Sequence, residues 1–208
     1  MSSKRVTSEF MKTRLTMTNI GEYLRQNYDF GFTLHQVARK QIFAPIFLQE
    51  NYGKDSDCTL TSILTMVKYL RKELDTHEIY NQIEKTAKKY LYNGATYGTI
   101  PFSHRTIAQK VFNHFNINHQ FKTKYLKNVG FDLWDILKEI DAGNMVMLSM
   151  QNDGRDYYRS HTVTVIGYVE FCDELGHLIY LLQVYDNWNS SYSFLDFETI
   201  STLSEIVY

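Results

Sequence analysis

Residues Lys54 to Leu70 read KDSDCTLTSILTMVKYL. The stretch opens with charged and hydroxyl residues, places one cysteine, Cys58, at the junction, and then turns apolar. Leu60, Ile63, Leu64, Val67, Leu70 and Leu74 follow at three-and-four spacing, which predicts a helix with one buried face starting at the cysteine. A thiol in the first turn of a helix lies near unpaired backbone N–H groups and the positive end of the macrodipole, and both favour its thiolate. The thiolate is the nucleophilic form, and the same N–H groups suit an anion that develops during acyl transfer. Taken alone, a cysteine at this position serves equally well as a small buried packing residue.

Working outward, a second helix is expected from Thr76, as cap, to about Leu91, with Ile79, Ile83, Ala87 and Tyr90 on one side. A third is expected from Ser103, with Ile107, Val111 and Phe115 inward. A fourth, FDLWDILKEIDAG from Phe131, should stop at Gly143, where glycine suits a left-handed terminus. Beyond Gly143 the pattern becomes β-branched and aromatic: NMVMLSM (144–150), SHTVTVIGYVEF (160–171) and HLIYLLQVYDNW (177–188). Helices first and strands second predict an α+β fold, with an N-terminal helical half packed on a mostly antiparallel C-terminal sheet and a groove between them. The whole of 1–208 is expected to form a single domain, in which 1–43 is an N-terminal extension of uncertain, partly helical structure.

Composition narrows the function classes. Twenty-two basic residues balance twenty-three acidic ones, so no basic nucleic-acid surface is indicated. Two cysteines build no disulfide framework in a chain of 208 residues, which points to a reducing compartment. No stretch has the length of a signal peptide's apolar core or of a membrane span, so a cytoplasmic location without membrane partners is expected. The seven histidines are not spaced with carboxylates or cysteines as a ligand set, and neither a metal nor a cofactor is expected.

A nucleophilic cysteine needs a base, and the base needs a group to orient it. His161 opens the alternating strand SHTVTVIGY, and the strand LLQVY delivers Asp186, Asn187 and Trp188. Two neighbouring antiparallel strands could bring His161 beside Asp186 or Asn187. Each feature separately has a plain structural reading, a polar strand end and a turn.

The segments DCTLTSILTMVKYL, SHTVTVIGY and VYDNW, in that order, resemble the cysteine, histidine and asparagine/aspartate segments of papain-like cysteine peptidases. The likeness is to the bacterial branch that trims bacteriocin leader peptides. It implies a papain-like fold and catalysis by Cys58, His161 and Asp186, with a glutamine upstream of the cysteine helping to hold the oxyanion. In APIFLQENYGKDSDC that residue is Gln49, with Asn51 as the alternative; Asn187 likewise competes with Asp186. The implied substrate is a peptide or protein, cleaved through a thioester acyl-enzyme. An acyltransferase or transglutaminase-like enzyme with the same triad, and an inactive peptide-binding module of the same fold, are the competing readings. Cys172 is expected to be a bystander. The loops YNGATYGTIP (92–101) and QNDGRDYYRS (151–160) are either surface connections or walls of a substrate groove.

Overall fold

The structure is a computed structural model and describes residues 14–28, 35–51, 56–94, 98–126, 129–150, 160–200 and 204–208. Among these residues the helices are α1 (Ile20–Asn27), α2 (Cys58–Leu70), α3 (Thr76–Ala87), α4 (Pro101–His114) and α5 (Val129–Asp141). The strands are β1 (His35–Gln41), β2 (Thr123–Tyr125), β3 (Val146–Ser149), β4 (Thr162–Cys172), β5 (Leu178–Tyr185), β6 (Ser193–Asp196) and β7 (Glu205–Val207). They form one seven-stranded antiparallel sheet in the order β2-β7-β3-β4-β5-β6, and β1 also pairs with β4. The expected α+β class is therefore the observed one.

Helix α2 begins at Cys58, where the apolar spacing placed it, and it is the central helix. Leu60, Ile63, Leu64 and Val67 are fully buried, and so are Thr59, Thr61, Ser62 and Thr65 on its other sides. Hydroxyl and β-branched residues are modest helix formers, so tertiary burial rather than propensity holds this helix. It stops at Leu70, which is largely exposed, and Leu74 packs against the core from the following turn. Asp75, not Thr76, caps α3: its carboxylate accepts from the Glu78 N–H, leaving Thr76 as the first helical residue. Helix α4 starts two residues before the expected Ser103, at Pro101, whose fixed φ suits a first helical position. Helix α5 ends as expected, with Gly143 in the left-handed region at φ 84°.

Of the N-terminal segment, the described residues 14–28 pack on the sheet. Tyr23 and Leu24 of α1, with Leu15 and Ile20, form a second apolar cluster against Val169, Ile179, Leu181 and Phe194 of the sheet. Two phenols, Tyr23 and Tyr28, donate to the buried Asp196 carboxylate, Tyr23 at 2.6 Å. Strand β4 is long enough to take two partners along one edge: β3 pairs with 162–165 and β1 with 167–172. Between them lies a bulge ending at Gly167, where a Cβ would sit 2.2 Å from the Lys40 carbonyl oxygen. Backbone cannot give way as a flexible side chain would, so Gly167→Ala is expected to lower unfolding free energy by about 2 kcal/mol, read from the shift in the urea midpoint.

Candidate active site

Three pieces of chain meet where α2 begins: the start of β4, the turn after β5, and the single 3-10 turn Gln49–Asn51. Cys58 is half-buried at the first position of α2. The preceding residue, Asp57, occupies the capping position but makes no side-chain cap. Its carboxylate instead accepts from the hydroxyls of Tyr80 and Tyr92. The helix start is thereby free of a competing side-chain anion in its own N–H groups.

His161 is buried immediately before β4 and is 3 % exposed. Its Nε2 lies 2.6 Å from the backbone carbonyl oxygen of Asp186. A carbonyl only accepts, so Nε2 carries the proton and Nδ1 is left for the cysteine. Burial pushes the Cys58 thiol up. The hydrogen bond and charge of His161, joined by the N–H and hydroxyl of Thr162, outweigh that and bring its pKa from 9.0 down to about 7. Roughly half of the sulfur is then thiolate at neutral pH.

Asp186 meets the imidazole through its main chain, while its carboxylate organises the turn that follows. Oδ1 accepts from the N–H groups of Trp188 and Asn189 at 3.1 and 2.9 Å. Oδ2 accepts from Asn189 Nδ2 at 2.9 Å, Ser193 Oγ at 3.0 Å and Arg14 Nε at 3.2 Å. This turn lays Trp188 on the imidazole, with ring centroids 3.8 Å apart and planes 26° from parallel.

Asn187 does something the sequence did not indicate. It is buried, in the left-handed region at φ 61°, a conformation asparagine tolerates better than most residues. Its side-chain Nδ2 donates to the Cys58 carbonyl (3.0 Å), Ser62 Oγ (2.9 Å) and the Thr162 carbonyl (3.0 Å). Its own carbonyl accepts from the Gln49 N–H at 2.9 Å. The amide therefore clamps the start of α2 to the start of β4 rather than meeting His161. Of the two candidate oxyanion donors, Gln49 is buried beside this junction and Asn51 is exposed.

The loop 92–101 is described at its two ends, and both touch the approach to Cys58. The Gly94 carbonyl accepts from Ser56 Oγ at 2.7 Å, and Gly98 is packed against the Ser56 carbonyl. Of the other predicted loop, 151–159 lie outside the described residues. Cys172 is a free thiol at the far end of β4. No group of three or more metal-binding side chains occurs among the described residues, and no helix among them is long and apolar enough to cross a membrane.

A family model described as the Peptidase_C39 like family matches residues 41–201. The chain belongs to that family. The resemblance read from the three motifs, to papain-like cysteine peptidases of the bacteriocin-processing branch, is thus supported across most of the chain. Among solved structures, the chain is similar to a crystal structure from Bacillus anthracis assigned as a C39-like peptidase. The TM-score is 0.55 at 16% identity, over 83% of this chain and 98% of that one, a likeness of fold. No curated protein matches the chain. The span matched by the C39-like model holds Gln49, Cys58, His161, Asp186 and Asn187; Arg14 and Glu205 lie outside it.

Removing the Asn187 clamp tests how far it holds the site together. Asn187→Ala leaves buried acceptors without their donor and puts alanine in left-handed backbone, an expected loss of about 3 kcal/mol. Asn187→Gly removes the same amide but relieves the backbone and should recover about 1 kcal/mol of that. Urea unfolding of the two variants separates the contributions.

Proposed function

We propose that this protein is a cysteine peptidase that hydrolyses an amide bond of a peptide-like substrate through a thioester on Cys58. The reading is carried by the placement of His161, its Nε2 on the Asp186 carbonyl, against Cys58 at a helix start, where it draws the thiol down to about 7 against its burial. A thiol held that low beside a base is poised for attack at neutral pH, whereas a buried packing cysteine has its pKa raised.

In this reading the Cys58 thiolate attacks the scissile carbonyl carbon, and the carbonyl oxygen takes the negative charge. Backbone N–H groups at the start of α2 and the Gln49 side-chain amide stabilise that oxyanion. The imidazolium of His161 passes its Nδ1 proton to the leaving amine, the C–N bond breaks, and the thioester remains. His161 then takes a proton from water, the hydroxide adds to the thioester carbon, and the C–S bond breaks to return the thiolate and release the acid. Asp186 orients the ring throughout: its carbonyl accepts from Nε2 and so fixes the tautomer that presents Nδ1 to sulfur. Its carboxylate holds the turn that places Trp188 over the ring.

Site-resolved alkylation by iodoacetamide as a function of pH tests the pair. Because the thiol is lowered, Cys58 labelling should persist as pH falls through 8 and lose half its rate near 7, whereas Cys172 follows its own profile in the same sample. In His161→Ala only the burial penalty remains among the larger influences, so the midpoint should move above about 8.5. Peptide hydrolysis should fall by at least about a thousandfold in both Cys58→Ser and His161→Ala. A Cys58 profile unchanged by His161→Ala would sink the proposal.

A further inference from the structure

Behind the nucleophile lies a second imidazole–carboxylate pair that the acyl-transfer chemistry does not use. His104 of α4 is 2 % exposed and Glu205 of β7 is fully buried. Nδ1 of His104 sits 3.0 Å from Oε2 of Glu205, angled away from a linear hydrogen bond, so the contact is one of charge. Neither Glu205 carboxylate oxygen receives a hydrogen bond from another described residue.

The other ring nitrogen faces hydroxyls. Nε2 is 2.9 Å from Thr99 Oγ1 and 3.3 Å from Thr59 Oγ1. Thr99 donates its only hydroxyl proton to Thr59, at 2.8 Å, so its contact with Nε2 requires that Nε2 carry hydrogen. Nε2 therefore carries hydrogen, while Nδ1 faces the Glu205 carboxylate. Thr59 continues the chain to Thr162 Oγ1 at 3.0 Å. The Thr162 hydroxyl can turn to Ser149 Oγ, at 3.2 Å, or to the Cys58 sulfur.

We infer that His104 and Glu205 are positioning residues for the nucleophile: Glu205 sets the ring of His104, whose Nε2–H orders the hydroxyls of Thr99, Thr59 and Thr162 so that each donates one step toward Cys58. Without the Nε2 proton the nearest hydroxyl turns back to the ring, and Thr162 loses the neighbour that donates to it. The groups facing the pair are few among the described residues. Glu205 interacts with His104 and with Tyr125 of β2, and His104 meets Glu205, Thr59 and Thr99. The inference rests on the reading of Cys58 and His161 as the reacting pair.

The test is the alkylation profile of Cys58 over about pH 5 to 10 in wild type, His161→Ala, His104→Gln and Thr59→Val, with melting temperatures alongside. Thr59→Val keeps the shape of the side chain and removes only the link, so it decides the matter if His104→Gln fails to fold. Both variants are expected to move the Cys58 midpoint upward by about one unit, a roughly tenfold slower reaction below the midpoint, with Cys172 unchanged. A His161-dependent wild-type profile that Thr59→Val leaves in place, whatever its melting temperature, overturns the relay while the peptidase reading stands. An ordinary thiol profile already in the wild type overturns the peptidase reading and the relay with it.

Discussion

The Asn187 side chain is the point on which the site depends. One amide nitrogen reaches the carbonyl of the nucleophile residue, a hydroxyl one helical turn later and the carbonyl that follows the base, while its main-chain oxygen holds the segment carrying Gln49. Cys58, His161 and Gln49 come from three places far apart in sequence. Their alignment to within a fraction of an ångström is needed for acyl transfer, and packing of apolar side chains alone is non-directional. A buried amide with defined donors supplies the missing direction. Its left-handed backbone, φ 61°, also lets the chain reverse immediately after Asp186, so the residue before it can turn its carbonyl to the imidazole and the residue after it can lie on the ring.

The start of α2 forgoes a second source of stability. A capping side chain is worth about 1 kcal/mol to a helix, and aspartate is among the best caps. Asp57 is in place yet turned away, held by Tyr80 and Tyr92. Burial and that carboxylate push both phenols well above their ordinary range, so they remain donors. Their hydrogen bonds blunt a negative charge that would otherwise oppose the neighbouring thiolate. The N–H groups of the first turn are left without a side-chain cap from Asp57.

Much of this was legible in the chain, because burial imposes periodicity. Helix α2 and strands β3, β4 and β5 are buried, and their apolar spacing shows it; Gly143 marks the end of α5 through a left-handed conformation that glycine adopts without strain. Strand β1, HQVARKQ, has mostly exposed side chains and joins the sheet through main-chain hydrogen bonds, which leave no trace in side-chain pattern. Strands β2 and β7 are three residues each, too short for a period. Cys58, His161 and Asp186 stand in the sequence in the order of the three motifs that carried the resemblance. What sequence could not carry was which atom of Asp186 faces the ring, that Asn187 binds the helix instead, and that His104 and Glu205, about a hundred residues apart, share one buried contact. Those are facts of tertiary placement. A chain shortened to the matched span, 41–201, would lose nearly all of β1 together with Arg14 and Glu205, baring the main-chain edge of β4 and the apolar cluster under α1.

Trp188 adds a property of a different kind. The chain has two tryptophans, and only one of them stacks on an imidazole. An indole in van der Waals contact with a histidine ring emits less light when that ring is protonated, because the cation accepts an electron from the excited indole. Trp134, on α5, packs instead against Tyr180 of β5. A change of charge on His161 would therefore register in the intrinsic fluorescence without attaching a dye.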